Sequence, residues 1–401
     1  MSDEPKAAAE KFLVFGAPSI KDAEIDEVVA SLKSGWLGTG PKVARFEADF
    51  ANYKSVEANQ VAALNSCTAA LHTSMIAAGI GPGDEVITSA LTFCATVNAI
   101  IHSGATPVLA DVDAKTMNIS PKDIESRITA KTRAIVPVHM AGRPCEMDQI
   151  MDIARRHELL VIEDCAHAIE TEFAGIKAGN FGDFGCFSFY VTKNVVTGEG
   201  GMVVAKREEH ISRIKVLSLH GMSKDAWHRF GDEGYRHYQV VSPGFKYNMM
   251  DIQAALGIHQ LARIEENWLR RQEIWQRYQQ AFTELPVDCP TEPAVDTRHA
   301  YHLYTLRIGN VQATIGRDDF LSLMTEQGIG IGVHYLSIPE HEYYRDTYHW
   351  KLGDFPNAAN IGQQTVSLPL SAAMTKVDVE RVISVVSDLF LNHRIAAQKI
   401  S

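Results

Sequence analysis

A short apolar run at residues 159–162 predicts a strand that ends in two carboxylates, Glu163 and Asp164. In doubly wound sheets, ligands bind just outside the carboxyl ends of the strands. An aspartate at that place can pair with a ring nitrogen and keep it protonated, and the resulting pyridinium withdraws electrons from a bound substrate. The alternative is that Asp164 serves as a turn or helix-capping residue, and the segment alone leaves both interpretations open.

A second apolar run, residues 186–189, leads to Lys193 and then to a glycine-rich turn at residues 197–201. A lysine that bonds covalently to a carbonyl group must be uncharged part of the time, and partial removal from water lowers its pKa towards that state. The alternative is a lysine in a surface loop, the usual environment of this residue type. The apolar approach and the glycine-rich exit argue against that alternative.

Small and hydroxyl-bearing residues lie at the start of a predicted helix over residues 68–78, in the order Ser66, Cys67 and Thr68. Hydroxyl residues at a helix start usually act as caps, which is one interpretation of Thr68. The same arrangement can hold a phosphate, because free backbone N–H groups, the helix dipole and a hydroxyl point to one place. A Walker motif is absent from the sequence, and the glycines at 328–332 do not have the spacing of a dinucleotide-binding motif.

Phe93 directly follows a predicted strand at residues 85–88. An aromatic ring there can stack on a flat cofactor, and packing in the core is the alternative. The sixteen histidines raise the question of a metal site. No HExxH motif occurs, and His299 and His302 have no third ligand nearby in sequence, so we predict no catalytic metal.

Short apolar runs alternate with amphipathic helical patterns from residue 60 to residue 205. This alternation predicts an α/β fold with a large, mostly parallel sheet covered by helices on both faces. A charged helical pattern at residues 253–282 predicts a long linking helix. Beyond it, strand patterns at 301–308 and 331–335 and helical patterns at 317–327 and 377–392 predict a smaller α+β domain. We therefore expect a large domain over residues 1–260 and a small C-terminal domain over residues 261–401.

The composition narrows the function further. The formal net charge is −11 and no run of five basic residues occurs, so we predict no nucleic-acid binding. The six cysteines form no CxxC pair, which favours reduced thiols over disulfides or a zinc site. No apolar stretch is long enough to span a bilayer, and residues 1–11 lack the apolar segment of a signal peptide. We therefore expect a cytoplasmic protein without membrane association.

Taken together, these segments resemble the sugar aminotransferases of the DegT/DnrJ/EryC1/StrS family. The resemblance extends from residue 36 to residue 382, with segments in the family's order at residues 34–41, 81–86, 163–168, 187–201, 247–255, 332–335 and 367–370. It implies a fold-type I enzyme that uses pyridoxal 5'-phosphate. Some family members are dehydratases that carry histidine in place of the lysine, and Lys193 argues against that branch.

The resemblance implies a role for each residue at the cofactor ring. Lys193 would hold the cofactor covalently and then move a proton as general base and acid. Asp164 would pair with the pyridine nitrogen. His167 would hydrogen-bond the phenolic oxygen, and Phe93 would stack on the ring.

The resemblance also implies how the phosphate is held. Thr68, Ser188 and the backbone of Cys67 would contact it from within the subunit. Cys67 departs from the family pattern, since many members carry glycine or alanine there. Asn248 would reach the phosphate from a neighbouring subunit, which implies a homodimer with a shared active site.

The expected substrates are glutamate, which leaves as 2-oxoglutarate, and a keto sugar linked to a nucleotide. Segments 35–41, 219–222 and 245–248 look most like enzymes that aminate C4 of UDP- or dTDP-linked 4-keto-6-deoxy or 4-keto-pentose sugars. His334 and Trp36 are candidates for nucleotide contacts. The alternatives are amination at C3 or of an inositol ketone, dehydration, and a regulator that binds the cofactor without catalysis.

Overall fold

Seven strands form the central sheet of the computed structural model, which describes residues 11–223, 238–309 and 315–398. They are β1 (Val61–Leu64), β2 (Glu85–Ser89), β3 (Thr106–Ala110), β4 (Thr132–Val136), β5 (Leu160–Asp164), β8 (Phe184–Ser188) and β9 (Gly201–Ala205), while β6 (Glu172–Phe173) and β7 (Ile176–Lys177) belong to a small separate sheet. The order across the sheet is β1-β9-β8-β5-β4-β2-β3. Only β9 runs antiparallel to its neighbours, so the prediction of a mostly parallel sheet is confirmed.

Helices cover both faces of this sheet. They are α1 (Asp22–Ser34), α2 (Pro41–Lys54), α3 (Cys67–Ala77), α4 (Cys94–His102), α5 (Pro121–Ser126), α6 (Met147–Arg156), α7 (Glu208–Ser218) and α8 (Asp251–Ala262). Successive side chains of a strand point to opposite faces. In β1, Ala62 and Leu64 pack into the hydrophobic cluster that contains α3, and Val61 and Ala63 pack into the cluster that contains α2. Both faces of the strand are therefore buried, as in sheets with crossover helices.

The C-terminal part has its own hydrophobic cluster, which includes Trp275, Tyr278 and Phe320. Its elements are α9 (Ile264–Phe282), β10 (Thr297–Arg298), β11 (Tyr304–Arg307), α10 (Arg317–Glu326), α11 (Glu342–Tyr348), α12 (Pro356–Gln364), β12 (Thr365–Leu368) and α13 (Lys376–Gln398). Strands β11 and β12 pair antiparallel. None of the helices in the described ranges is long and apolar enough to cross a membrane.

Two predicted elements differ in the structure. The predicted long helix at 253–282 is divided into α8 and α9 at Arg263, whose backbone is non-helical (φ −115°, ψ 21°). The Arg263 guanidinium there donates to the carbonyl of Ser19 and pairs with Glu24, contacts that a periodicity analysis does not detect. The predicted strand at 331–335 is wrong, because with the described residues this segment makes a single isolated bridge, from Gly332 to Ser367.

A buried carboxylate, Glu163, fixes the loop that precedes β8. Its Oε1 accepts the backbone N–H groups of Phe181 at 2.8 Å and Gly182 at 2.7 Å, and its Oε2 accepts that of Gly179 at 2.8 Å. Hydrogen bonds from backbone donors stabilise a carboxylate that has been removed from water. The loop is thereby tied to β5 one residue before Asp164.

Glu163 also belongs to a buried cluster with His139 and Cys165, whose potential ligand atoms lie within 4.8 Å of one another. Nδ1 of His139 accepts the N–H of Cys145 at 3.1 Å, so Nε2 carries the proton and donates to Glu163 at 3.0 Å. Both groups are thus committed to hydrogen bonds within the chain, and the cluster is explained by loop anchoring rather than by metal binding.

Substituting Glu163→Gln is expected to lower the free energy of unfolding by about 2–3 kcal/mol. The new amide NH2 group would face backbone N–H groups, and those donors would lose the oxygen that accepts from them. Denaturant unfolding followed by circular dichroism measures this change. Glu209→Gln, on the exposed surface of α7, is the matched control and should unfold at the wild-type denaturant concentration. If the two variants unfold alike, Glu163 does not anchor the loop.

Candidate active site

A cavity of about 560 Å³ lies where several element ends meet. Its walls come from the starts of α3 and α4, the carboxyl end of β5, the turn between β8 and β9, and residues 334–335. The predicted site residues that line it are Cys67, Thr68, Phe93, Asp164, His167, Ser188 and Lys193. Residues that lie far apart in the sequence are therefore brought to a single cavity, as the rule for strand ends in α/β sheets predicts.

Asp164 is the last residue of β5 and is buried. Its Oδ1 accepts the N–H of Ala166 at 3.0 Å, and its Oδ2 accepts the hydroxyl of Thr96 at 2.8 Å. Burial raises the pKa of Asp164 above its usual value, while these two hydrogen bonds and the positive charge of Lys193 oppose that shift. The sequence did not identify Thr96, although a hydroxyl in the first turn after Phe93 was a possible signal.

Lys193 lies in the turn that follows β8. Burial lowers the pKa of Lys193 to about 8, and the nearby Cys67 and Asp164 act in the opposite direction. The Lys193 amine makes no hydrogen bond with any residue of the described ranges, so it is available to react. The surface-loop interpretation of this lysine is wrong, because the side chain lines the cavity.

The start of α3 presents hydrogen-bond donors to the cavity. Ser66 is the N-cap residue, and its hydroxyl oxygen accepts the N–H of Ala69 at 3.1 Å. Thr68 lies inside the first turn, so the interpretation of Thr68 as the cap is wrong. Within the described part of the chain, the N–H groups of Cys67 and Thr68 have no acceptor. A Cβ at Gly201 would lie 2.4 Å from the Ser66 carbonyl, so only glycine lets β9 approach this turn.

Phe93 is 56% exposed and stands at the cavity wall, with its ring centroid 5.7 Å from that of Tyr335. The core-packing interpretation of Phe93 is therefore wrong. Tyr190, which the sequence analysis missed, also lines the cavity and is 45% exposed. Nothing in its local sequence distinguishes Tyr190 from the aromatic residues beside it, of which Phe187 and Phe189 are core residues.

His167 is buried, and both of its ring nitrogens have partners in the chain. Nδ1 accepts the N–H of Ala141 at 3.3 Å, so the proton is assigned to Nε2, which lies 3.1 Å from the Tyr335 hydroxyl. Burial, together with the charge of Lys193, lowers the pKa of His167 well below its usual value, and the ring is therefore neutral at pH 7. Tyr335 was not predicted as a site residue by itself, because its contact with His167 joins distant parts of the sequence.

Asn248 does not line the cavity of its own subunit. Its Nδ2 donates to the hydroxyl of Thr39 at 2.7 Å, in the turn before α2. Trp36 lies in the same turn, 56% exposed, and also stands outside the cavity. His334 does line the cavity, with its Nδ1 2.9 Å from the Ser367 hydroxyl, and burial lowers the pKa of His334 to about 3.

Comparison with known proteins identifies the family of this chain. The model of the DegT/DnrJ/EryC1/StrS aminotransferase family matches residues 18–387. The chain is 48% identical over 379 residues to the Bacillus subtilis spore coat polysaccharide biosynthesis protein SpsC, an alignment that covers 94% of this chain and 97% of SpsC.

Solved structures agree with this assignment. The PMP form of Spr1654 from Streptococcus pneumoniae, whose proposed activity is that of a sugar aminotransferase, has a TM-score of 0.89 at 31% identity, covering 96% of this chain and 100% of that one. Its PLP form has a TM-score of 0.87 at 30% identity, covering 97% and 100%. Helicobacter pylori PseC, an aminotransferase involved in the biosynthesis of pseudoaminic acid, has a TM-score of 0.87 at 27% identity, covering 95% and 100%.

The cavity also fits pyridoxal phosphate on chemical grounds. The Lys193 amine is free to react with an aldehyde, and the buried Asp164 carboxylate can face a cationic ring nitrogen. The unpaired N–H groups at the start of α3 can take a phosphate, and Phe93 offers an apolar face to the ring.

In the cofactor-free protein, the rate at which Lys193 reacts with an amine-specific reagent is expected to titrate with a midpoint near pH 8, because burial favours the neutral amine. Exposed lysines titrate at about pH 10.4. Reductive methylation across a pH series, read by peptide mass spectrometry, measures both in one sample, with surface lysines as the internal control. A midpoint for Lys193 equal to that of the surface lysines would contradict the prediction.

Proposed function

This chain belongs to the DegT/DnrJ/EryC1/StrS aminotransferase family and is a pyridoxal-phosphate-dependent sugar aminotransferase, and from that premise we propose that it transfers the amino group of glutamate to a nucleotide-linked keto sugar. The observation that carries the proposal is that Lys193, Asp164 and the start of α3 converge on one cavity. When bound, the cofactor supplies an electron-withdrawing ring that stabilises negative charge on the reacting carbon.

We assign two tasks to Lys193. Its amine would hold the cofactor, and Lys193 would also act as the base at the donor carbon and as the acid at the acceptor carbon. A pKa of about 8 suits this work, because a group with a pKa near the working pH is available both as base and as acid. Asp164 would keep the ring nitrogen protonated, and the cationic ring would offset the cost of burying the Asp164 carboxylate.

The first turn of α3 is proposed to bind the cofactor phosphate. The N–H groups of Cys67 and Thr68 are unpaired, and the helix dipole places partial positive charge at the same end. The hydroxyls of Thr68 and Ser188, which also line the cavity, would complete the set. Because Cys67 contributes its backbone, its side chain need only be small.

Phe93 and His167 are proposed to contact the cofactor ring. Phe93 would stack on it, since its exposed ring forms part of the cavity wall. His167 would donate to the phenolic oxygen from Nε2, the nitrogen that lies 3.1 Å from the Tyr335 hydroxyl. Nε2 carries the only ring proton of neutral His167. The cofactor oxygen and the Tyr335 hydroxyl would therefore share or compete for the hydrogen bond that Nε2 donates.

The proposed acceptor is a UDP- or dTDP-linked 4-keto sugar, aminated at C4. SpsC is a spore coat polysaccharide biosynthesis protein and PseC is an aminotransferase involved in the biosynthesis of pseudoaminic acid, which supports a sugar acceptor. A nucleotide diphosphate bound away from the reacting carbon would supply positioning energy. His334 lines the cavity and, being neutral, could accept or donate a hydrogen bond to this substrate without adding charge.

Lys193→Ala is expected to lower the rate of amine transfer by about 10²- to 10⁴-fold, because the proton-transfer group is lost. The assay incubates the holoenzyme with glutamate and a UDP-linked 4-keto sugar, quantifies 2-oxoglutarate, and locates the new amine by NMR. Lys131→Ala, an exposed lysine on the surface, is the matched control and should keep full activity. An amine at C3 would overturn the C4 assignment, and amine transfer without 2-oxoglutarate would overturn the donor assignment.

We also propose that the working unit is a homodimer in which Asn248 of one subunit contacts the phosphate held by the other. Asn248 stands outside its own cavity, anchored to Thr39. Exposed apolar side chains precede Thr39 in the sequence. Ile25 and Leu32 on α1 and Trp36 in the following turn are each more than half exposed. Such clustered exposed apolar side chains are typical of a surface that another chain covers.

Mixing two inactive variants tests the shared site. In a heterodimer of Lys193→Ala and Asn248→Ala subunits, one site contains both defects and the other contains neither. A one-to-one mixture that has exchanged subunits should therefore recover about a quarter of wild-type activity. Each variant incubated alone is the control. If the mixture is no more active than the separate variants while subunit exchange is demonstrated by mass spectrometry, Asn248 does not act across subunits.

A further inference from the structure

Asn194, the residue directly after Lys193, has a fully bonded buried side chain. Its Nδ2 donates to both oxygens of Glu170, at 3.0 and 2.9 Å, and to the carbonyl of Ala300 at 2.9 Å. Its Oδ1 lies 2.9 Å from Nδ1 of His302. A primary amide has two N–H groups, so one of them is shared by the carboxylate and the other is directed at Ala300.

One hydrogen-bond partner of Asn194, His302, connects it to the wall of the cavity. An amide oxygen only accepts, so Nδ1 of His302 carries the proton. Burial lowers the pKa of His302 well below its usual value, which makes it a neutral ring. The His302 ring lies 4.4 Å from the ring of His167, which lines the cavity. Through His302, Asn194 thus connects the turn that contains Lys193 to His167 in the cavity wall.

Glu170 does not line the cavity, so it has no direct part in the proposed reaction. It is buried, and burial raises the pKa of its carboxyl to about 7, while the bond from Asn194 and the charge of Arg271 lower it. Arg271 is itself buried on α9 and donates to the carbonyl of Leu370 at 2.8 Å. The carboxylate oxygens of Glu170 accept from Asn194, in the turn that contains Lys193. Burying a carboxylate is unfavourable unless it has such hydrogen-bond partners.

The backbone around Lys193 makes few hydrogen bonds of its own, although Val195 and Val196 beside it are buried. In the described part of the chain, the only backbone–backbone hydrogen bond made by residues 192–196 runs from the Lys193 N–H to the Tyr190 carbonyl, at 2.8 Å. These residues belong to neither a helix nor a strand. The Asn194 side chain makes four contacts in the same place. Most of the hydrogen bonding that fixes this segment therefore comes from the Asn194 side chain rather than from a regular backbone ladder.

We propose that Asn194, held by Glu170, Ala300 and His302, is a positioning residue that fixes where the Lys193 amine stands in the cavity. The reaction assigned to Lys193 rests on the proposed function, but the placement of the amine does not. A flexible lysine side chain reaches a reacting carbon reproducibly only if its backbone is fixed, and a displacement of about 1 Å can cost about 10²-fold in rate. Asn194 and Glu170 act through Lys193 and touch no reacting atom.

The test compares Asn194→Ala and Glu170→Gln with Asn360→Ala, which removes an exposed asparagine on α12 as the matched control. Two quantities are measured: the pH midpoint of Lys193 methylation in the cofactor-free protein, and kcat and KM of the holoenzyme. For Asn194→Ala we expect the methylation midpoint to rise by about one pH unit towards that of free lysine, because the amine gains access to water. We expect kcat to fall about 10- to 100-fold with little change in KM.

Glu170→Gln removes one of the two oxygens that accept from Asn194, so we expect a smaller fall in kcat and a smaller rise in the methylation midpoint than in Asn194→Ala. Thermal unfolding of every variant separates positioning from folding. If Asn194→Ala only lowers the melting temperature, with the methylation midpoint and kcat unchanged, the residue is structural and the proposal is overturned. If the wild type transfers no amine but the midpoint still shifts in Asn194→Ala, the proposed function fails and the positioning role stands.

Discussion

Two consecutive buried carboxylates at the end of β5 are the constraint on which the rest of the site depends. Side chains of neighbouring strand residues point to opposite faces, so Glu163 and Asp164 meet different surroundings. Glu163 is saturated by three backbone N–H groups and by His139. Among the described residues, two groups donate to the Asp164 carboxylate, and its pKa is raised. A cationic ring beside Asp164 would therefore stabilise its carboxylate more than it would stabilise that of Glu163.

The antiparallel direction of β9 determines where the Lys193 amine lies. Strands β8 and β9 pair antiparallel, with Ser188 opposite Gly201, so the turn between them stays at the carboxyl end of β8. β8 is the neighbour of β5, and this turn therefore brings Lys193 to the edge where Asp164 ends its strand. A parallel partner would have required a crossover connection to the far edge. The single antiparallel strand within the main sheet is thus part of the site's construction.

Local patterns predicted much of this arrangement, since apolar runs marked the strands and the rule for strand ends placed Asp164 and Lys193 together. Prediction failed where long-range contacts decide. The contact of Tyr335 with His167 and the interruption of the long helix by Arg263 both depend on residues far away in sequence. The role of Asn194 was invisible for the same reason, because its partners, Glu170 and His302, come from separate elements.

Electrostatics around the amine follow from burial more than from charge pairs. His167, His302 and His334 all have pKa values well below the usual value, and in each case burial is the largest cause and the charge of Lys193 adds to it. These three rings are therefore neutral, and they lie around the site without adding positive charge to that of Lys193. A cavity built in this way leaves its positive potential to Lys193 and to the start of α3. An anionic cofactor or substrate would therefore be attracted mainly to Lys193, where the proton transfer is proposed, and to the start of α3, where the phosphate is proposed to bind.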